Sequence, residues 1–224
     1  MSLYGRLVIL VARMPPDSDH RVEQPHARMT SDWIETEEAL SSVVRAIIEA
    51  GGRVAIFGDS ISTLLATMVT AEYLEPQEAE GRERQPARLI IATAGADEER
   101  AHEFDTGLGI VETSPADIRE LAPRAAALIC LGSANLEEEI GAFRQANESA
   151  PIFAFARTGG GAQALRQSEI VHRVSFTDLE AEEFLPNPQA RDDRMPADEE
   201  HNREFEFPAF ALAAQIIVER LGHG

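Results

Sequence analysis

Short, uninterrupted apolar runs recur along this chain, and they constrain its fold more than any other feature. They cover residues 7–12, 53–57, 88–93, 126–131 and 151–156. Because each run is continuous rather than alternating, it predicts a strand buried on both faces, as in parallel sheets. The segments between these runs are longer and amphipathic. The order of elements is therefore strand, helix, strand, helix, which favours parallel strands joined by helical crossovers.

Helices are expected in the segments between the predicted strands. Their predicted ranges are Ile34 to Ala50, Ile61 to Leu74, a short helix starting at Ser114-Pro115, Leu136 to Ala146, and Gly160 to Gln167. Gly51-Gly52 is a typical helix stop, and proline is favoured at the first position of a helix. The pattern predicts an α/β fold: a Rossmann-like three-layer sandwich with a mainly parallel sheet of five to six or more strands and helices on both faces.

The last quarter of the chain changes character. Residues 170–175 predict a sixth strand at an edge of the sheet. Residues 177–206 are rich in acidic residues and proline, so they predict a long loop or lid. Residues 207–221 predict a final amphipathic helix that packs on the sheet. The length of 224 residues suits one domain over residues 1–224.

Charge and composition exclude several functions. The net charge is −19, which disfavours binding to nucleic acid or to anionic membranes. No lysine is present, so a P-loop lysine and Schiff-base chemistry are excluded. The single cysteine, Cys130, lies in an apolar run and is expected to be a core residue rather than a nucleophile. No apolar run is long enough to span a membrane, and Arg13 breaks the N-terminal run before it resembles a signal peptide, so a cytoplasmic protein is expected.

Candidate ligand contacts lie where the predicted strands end, because ligands in such sheets bind beyond the carboxyl ends of the strands. The turn at residues 157–161 is the best phosphate candidate, since it combines an arginine, a hydroxyl and glycine amides. Asp59 and Ser60 have two possible roles, ligand contact or capping of the second helix. The first predicted strand is not followed by Gly-x-Gly-x-x-Gly, which disfavours a hydride-transfer enzyme.

Glu139 is the acid of the triplet 137–139 that is expected to face the strand ends. Steps of about 100° place Leu136, Ile140 and Phe143 on the buried side of the helix, with Glu139 at the edge of that side. Its role is either in a pocket or in complementing the helix dipole. The histidines show no metal-ligand spacing, so no metal site is predicted. The predicted ligand-binding residues are Arg13, Gly58, Asp59, Ser60, Thr93, Gly132, Ser133, Glu139, Arg157, Thr158, Gly159 and Gly160.

Three segments together resemble the SLOG superfamily. They are Ile-Glu-Ala-Gly-Gly-Arg-Val-Ala-Ile-Phe-Gly-Asp-Ser at 48–60, Ala-Leu-Ile-Cys-Leu-Gly-Ser-Ala-Asn-Leu-Glu-Glu-Glu-Ile at 127–140, and Ala-Pro-Ile-Phe-Ala-Phe-Ala-Arg-Thr-Gly-Gly-Gly-Ala at 150–162. This superfamily unites the Lonely Guy cytokinin-activating hydrolases and the DNA-processing protein A domain with nucleotide-sensing domains of Thoeris defence effectors and melastatin-type channels. The resemblance extends from Leu7 to about Gln167.

The hydrolase motif Pro-Gly-Gly-x-Gly-Thr-x-x-Glu is only partly kept at residues 131–139. Gly132 keeps the first glycine and Glu139 the final acid, whereas the replaced positions are Leu131, Ser133, Asn135 and Leu136. The loss of two glycines and the threonine removes much of the hydrolase phosphate site, and no match places the arginine that accompanies the glutamate. The Thr-Gly-Gly turn at 158–160 resembles the sensor-type members instead.

Three functions stay open, and the first two are what the resemblance implies. The preferred one is a ligand-sensing domain without chemistry, of a prokaryotic signalling or defence system, that binds a nucleotide-type or NAD-derived ligand such as an ADP-ribose. Glu139 would then accept a hydrogen bond from a ribose hydroxyl, and Arg157, Thr158 and Gly159 would hold phosphate. The alternative is an N-glycosidic hydrolase of nucleoside monophosphates with Glu139 as its catalytic carboxylate. The third is a non-catalytic protein-interaction domain. A homodimer or higher homo-oligomer is also implied.

Overall fold

The computed structural model describes residues 2–13, 33–78, 88–93, 111–115, 117–132, 136–184 and 210–223. Seven parallel strands in this part of the chain form one sheet in the order β4-β3-β2-β1-β5-β6-β7. The strands are β1 (Leu7–Arg13), β2 (Arg53–Gly58), β3 (Leu89–Thr93), β4 (Val111–Pro115), β5 (Ala125–Gly132), β6 (Ile152–Phe155) and β7 (Val174–Phe176). The predicted parallel sheet is confirmed.

Helices cover both faces of this sheet, as a three-layer sandwich requires. The helices are α1 (Trp33–Glu49), α2 (Ser60–Glu78), α3 (Ile118–Leu121), α4 (Leu136–Ala146), α5 (Gly160–Ala164), α6 (Thr177–Glu183) and α7 (Phe210–Gly222). One apolar cluster packs α1, α2 and α7 against one face, and a second packs α3, α4 and α5 against the other. None of the helices described is both long and apolar enough to cross a membrane.

The central strand β1 shows why continuous apolar runs predict this sheet. Val8 and Leu10 belong to the first cluster, whereas Ile9 and Val11 belong to the second, and all four are fully buried. Because successive strand residues point to opposite faces, a strand with helices on both faces needs apolar residues at every position.

The C-terminal helix packs on the sheet, as its amphipathic pattern predicts. The rings of Phe210 and Phe155 lie with centroids 5.9 Å apart, which joins α7 to β6. Ala213, Ala214 and Ile217 are buried in the same cluster. The predicted edge strand is also present, but it is shorter than expected: β7 starts at Val174, after a 3₁₀ turn at Val171–Arg173.

The prediction that Ser114-Pro115 starts a helix was wrong. Both residues belong to β4, and α3 begins at Ile118. Asp117 is the N-cap, since its side chain accepts a hydrogen bond from the Arg119 amide at 2.9 Å. Strand β4 is an edge strand that pairs only with β3. An edge strand tolerates the missing N–H of a proline, which explains Pro115 in this position.

Two helices differ from the prediction. Helix α2 continues to Glu78, beyond the predicted end at Leu74, although the added residues include Pro76, which disfavours helix. Helix α6 occupies the start of the acidic segment 177–206 that the sequence predicts as a loop or lid. Buried Ala181 packs in the same cluster as α7 and so fixes this helix. The rest of that segment, from residue 185, lies outside the described residues.

Candidate functional site

The polar residues of interest lie where the order of strands reverses. Strands β2, β3 and β4 lie on one side of β1, and β5, β6 and β7 lie on the other. Consecutive connections therefore run in opposite directions from β1 and from β5. In open α/β sheets such a reversal leaves a crevice beyond the carboxyl ends of the two strands, where ligands bind.

Arg13 and Glu139 meet at this crevice. Arg13 is the last residue of β1, and Glu139 lies in the first turn of α4, directly after β5. Arg13 Nη2 lies 3.5 Å from Glu139 Oε1, and the two side chains are 51% and 20% exposed. The other carboxylate oxygen, Glu139 Oε2, is buried and accepts no hydrogen bond from any described residue. A buried acceptor without a donor is uncommon, so this oxygen can accept a hydrogen bond from the hydroxyl or amine of a ligand.

The helical-face argument for Glu139 is confirmed. Leu136, Ile140 and Phe143 are buried, and Glu139 is half-buried at the edge of that face. The other two acids of the triplet are exposed. Acids in this first turn also complement the positive end of the helix dipole, which disfavours a phosphate at the start of α4.

Thr158 and Gly132 form a buried hydrogen-bonded bridge beneath the crevice. The Gly132 amide donates to Thr158 Oγ1 at 2.7 Å, and this hydroxyl donates to the Phe155 carbonyl at 2.6 Å. Thr36 Oγ1 donates to the Thr158 carbonyl at 3.4 Å, which connects α1 to the same turn. Thr158 is fully buried. Both groups therefore have hydrogen-bond partners inside the protein, and their contact with a ligand stays a prediction.

Two glycines allow the neighbouring strands to lie against the end of β1. Gly58 pairs with Ala12 and Gly132 with Arg13. A Cβ atom at Gly58 would lie 2.5 Å from the Ala12 carbonyl oxygen, and one at Gly132 would lie 2.8 Å from that of Arg13. Gly132 also has a φ of +51°, which disfavours other residues. Both glycines thus allow close strand packing, and the predicted approach of a ligand to them stays a prediction.

Asp59 caps the second helix, one of its two predicted roles. Its Oδ1 accepts a hydrogen bond from the Ser62 amide at 2.8 Å. Ser60 is the exposed first residue of α2. Thr93 ends β3, two strands away from β1, so it does not adjoin the Arg13–Glu139 pair. The predicted contact Ser133 lies outside the described residues.

The turn after β6 is held from below by Asp178, which the sequence analysis missed. Arg157 has an exposed side chain, but its amide donates to Asp178 Oδ2 at 2.7 Å. Gly159 and Gly160 have φ of +71° and +55° and lead into the five-residue helix α5. Asp178 is fully buried, and burial raises the pKa of its carboxyl, an effect that backbone amides beginning with that of Arg157 partly offset.

A sequence signal for Asp178 existed. Thr-Asp follows the run Val-Ser-Phe at 174–176, and these are residue types that favour the start of a helix at the end of a strand. The acidic residues beyond it concealed this signal.

The fold and the site define an α/β protein with a parallel Rossmann-like sheet and an arginine–glutamate pair at the point where the strand order reverses. No family model, curated protein or solved structure matches this chain. Across the described ranges, no cluster of three or more His, Cys, Asp or Glu side chains could hold a metal ion.

Proposed function

We propose that this protein binds a nucleotide-type or NAD-derived ligand in the crevice between β1 and β5. The observation that carries the proposal is the Arg13–Glu139 pair, whose buried oxygen Oε2 has no donor among the described residues. A guanidinium suits a phosphate group, and a carboxylate oxygen suits the hydroxyl of a ribose. The resemblance to the sensor-type SLOG domains points to the same class of ligand.

Arg157 supplies a second cation at the same edge of the sheet. Its side chain is exposed, and its backbone is fixed by the bond from its amide to Asp178. The two arginines lie at the ends of β1 and β6, with β5 between these strands, and such a pair suits a ligand with more than one phosphate, such as a dinucleotide. Thr158 and Gly132 support this arrangement from beneath, because their bridge joins β5 to the turn that carries Arg157.

A thermal-shift screen followed by calorimetry tests this proposal. The ligands are AMP, ADP, ATP, ADP-ribose, cyclic ADP-ribose, NAD and cyclic dinucleotides. A ligand at a hundred times its dissociation constant should stabilise the protein by about 2.7 kcal/mol. Each ligand that raises the melting temperature is then recovered by chromatography. An intact ligand indicates a binding domain, and no shift with any of these ligands would contradict the proposal.

Substitution of a second arginine, Arg119, provides a matched control for the role of Arg13. Arg13→Ala should weaken binding by about 1.5–3 kcal/mol, the scale of a hydrogen bond to a charged group. It should change stability by less than about 1 kcal/mol, because an ion pair with a half-exposed arginine contributes little. Arg119→Ala removes a similarly exposed arginine, 3.7 Å from Asp117, in α3, which precedes β5 and so lies away from its carboxyl end. Binding that is equally affected by both substitutions would remove Arg13 from the site.

Hydrolysis of an N-glycosidic bond is the second candidate function. The arginine that accompanies the glutamate in the hydrolases had no match in the sequence, and Arg13 now lies beside Glu139. A carboxylate oxygen without a donor could stabilise the positive charge that develops on a ribose as its base leaves. This function predicts release of free adenine from AMP, and Glu139→Gln should abolish that release while AMP still binds.

A further inference from the structure

Helix α2 buries several hydroxyl side chains beside Ala66 and Val69, and exposes large apolar ones. The residues that it turns inward and buries include Ser62, Thr63, Thr67 and Thr70. Its outward residues Ile61, Leu64 and Met68 are 46%, 45% and 60% exposed. Their spacing of three and four residues places them on one side of the helix, where they form an apolar stripe two turns long. A surface helix normally shows the opposite arrangement.

Two of the buried threonines, Thr67 and Thr70, need no partner outside their own helix. Thr67 Oγ1 donates to the Thr63 carbonyl at 2.9 Å, and Thr70 Oγ1 donates to the Ala66 carbonyl at 2.7 Å. Each hydroxyl is therefore satisfied, and its methyl group packs inward. Ser62 Oγ is also buried and has no hydrogen-bond partner among the described residues. On the outer side, three large apolar side chains are about half exposed, and no described residue buries them.

Charge indicates what covers this stripe. Residues 60–71 contain no charged side chain, in a protein with a net charge of −19. The next residue, Glu72, has its carboxylate 3.7 Å from the guanidinium of Arg45. The exposed residues of α1, α4 and α7 include charged ones: Glu37, Arg45, Glu49, Glu137, Glu138, Glu219 and Arg220. Two copies of so acidic a chain repel each other over most of their surface, but not where α2 meets α2.

We propose that two copies of this chain pair through the outer side of α2, with Ile61, Leu64 and Met68 of each copy packed against those of the other. A two-fold axis brings the same surface of both copies together, so an apolar stripe meets its own complement. A basic partner would instead favour the acidic surfaces and would gain no charge contact on α2. The pairing does not depend on the ligand proposed above.

Analytical ultracentrifugation of the full chain over a range of concentrations tests this proposal. The wild type should form a dimer, and Leu64→Glu or Met68→Glu should raise its dissociation constant by at least about thirtyfold, as for a central interface residue. Both side chains are exposed, so circular dichroism and the melting curve of the monomer should stay native. Phe184→Glu is the matched control, because it adds the same charge at an apolar residue that is 74% exposed just after α6. It should leave the dimer intact.

Cross-linking and salt dependence provide independent readouts. The chain has one cysteine, Cys130, which is fully buried, and this burial raises the pKa of its thiol well above the usual range. Leu64→Cys should therefore be cross-linked between chains by a short bis-maleimide, whereas Phe184→Cys should not. Higher NaCl should tighten the dimer, because salt screens the repulsion between the two acidic chains. A wild type that stays monomeric at high concentration overturns the proposal, as does a dimer that persists in Leu64→Glu/Met68→Glu.

Discussion

Replacement of Thr158 by valine should strongly destabilise the protein, because one hydroxyl satisfies two buried backbone groups. It accepts from the Gly132 amide at 2.7 Å and donates to the Phe155 carbonyl at 2.6 Å. Valine keeps the branched shape and fills the same volume, so the lost hydrogen bonds dominate the effect. A buried donor or acceptor left without a partner costs about 1–3 kcal/mol, and the two together should cost about 2–4 kcal/mol.

Urea unfolding followed by circular dichroism measures this loss. In a chain of this size, 2–4 kcal/mol corresponds to a melting temperature lower by about 5–15 °C. Thr158→Ser is the control, since it keeps the hydroxyl and loses one methyl group, at about 1 kcal/mol. The bridge does not hold β5 and β6 together if the free energy of unfolding of Thr158→Val lies within about 0.5 kcal/mol of the wild-type value. The same conclusion follows if Thr158→Ser destabilises the protein as much as Thr158→Val does.

Three further predictions concern Gly58, Asp178 and Arg144. Gly58→Ala should destabilise the protein by about 1–3 kcal/mol in urea unfolding, because the new Cβ would lie 2.5 Å from a carbonyl oxygen. Gly141→Ala, which has open space around it on α4, should stabilise the protein by about 0.5–1 kcal/mol. Equal effects of the two substitutions would contradict the packing argument. Asp178→Asn should change the pH dependence of the melting temperature. Burial raises the pKa of this carboxyl in the folded protein above its ordinary 3.8. The protonated carboxyl therefore stabilises the wild type below pH 3.8, and this stability is lost as the pH rises through the higher folded pKa. Asparagine should abolish this loss, and parallel pH profiles of the two proteins would refute the reasoning. Arg144→Lys should lower the free energy of unfolding in urea by about 1–3 kcal/mol, because the guanidinium donates to three backbone carbonyls that a single ammonium cannot reach together. An unchanged midpoint of urea unfolding would be inconsistent with this role.

The sheet could be predicted from the sequence because its signal is local. Each buried strand is a short apolar run, and the bounds of α4 and the orientation of Glu139 follow from helical periodicity alone. Pro115 was misplaced because proline suits both the first turn of a helix and an edge strand. The choice depends on which strand lies at the edge of the sheet, and that is a property of the whole fold.

The hydrogen bonds beneath the site could not be predicted because they also depend on which strands are neighbours in the fold. Gly132 and Thr158 are 26 residues apart, and only the pairing of β5 with β6 brings the amide to the hydroxyl. Likewise, Asp178 reaches the Arg157 amide because β7 lies next to β6. The sequence marks Thr158 and Arg157 as ligand contacts after β6, but it does not reveal that residues at the ends of neighbouring strands supply partners to the Thr158 hydroxyl and the Arg157 amide.

The polar residues at the carboxyl edge therefore divide by where their hydrogen bonds go. The Thr158 hydroxyl, the Gly132 amide and one oxygen of the Asp59 carboxylate are engaged with the protein itself, so substitutions there should change stability and ligand affinity together. Among the described residues, the side chains of Arg13 and Glu139 form a long, partly exposed ion pair, and they meet where the strand order reverses. A loss of affinity without a loss of stability is thus the property that separates a ligand contact from its support, and these two residues are where it should be found.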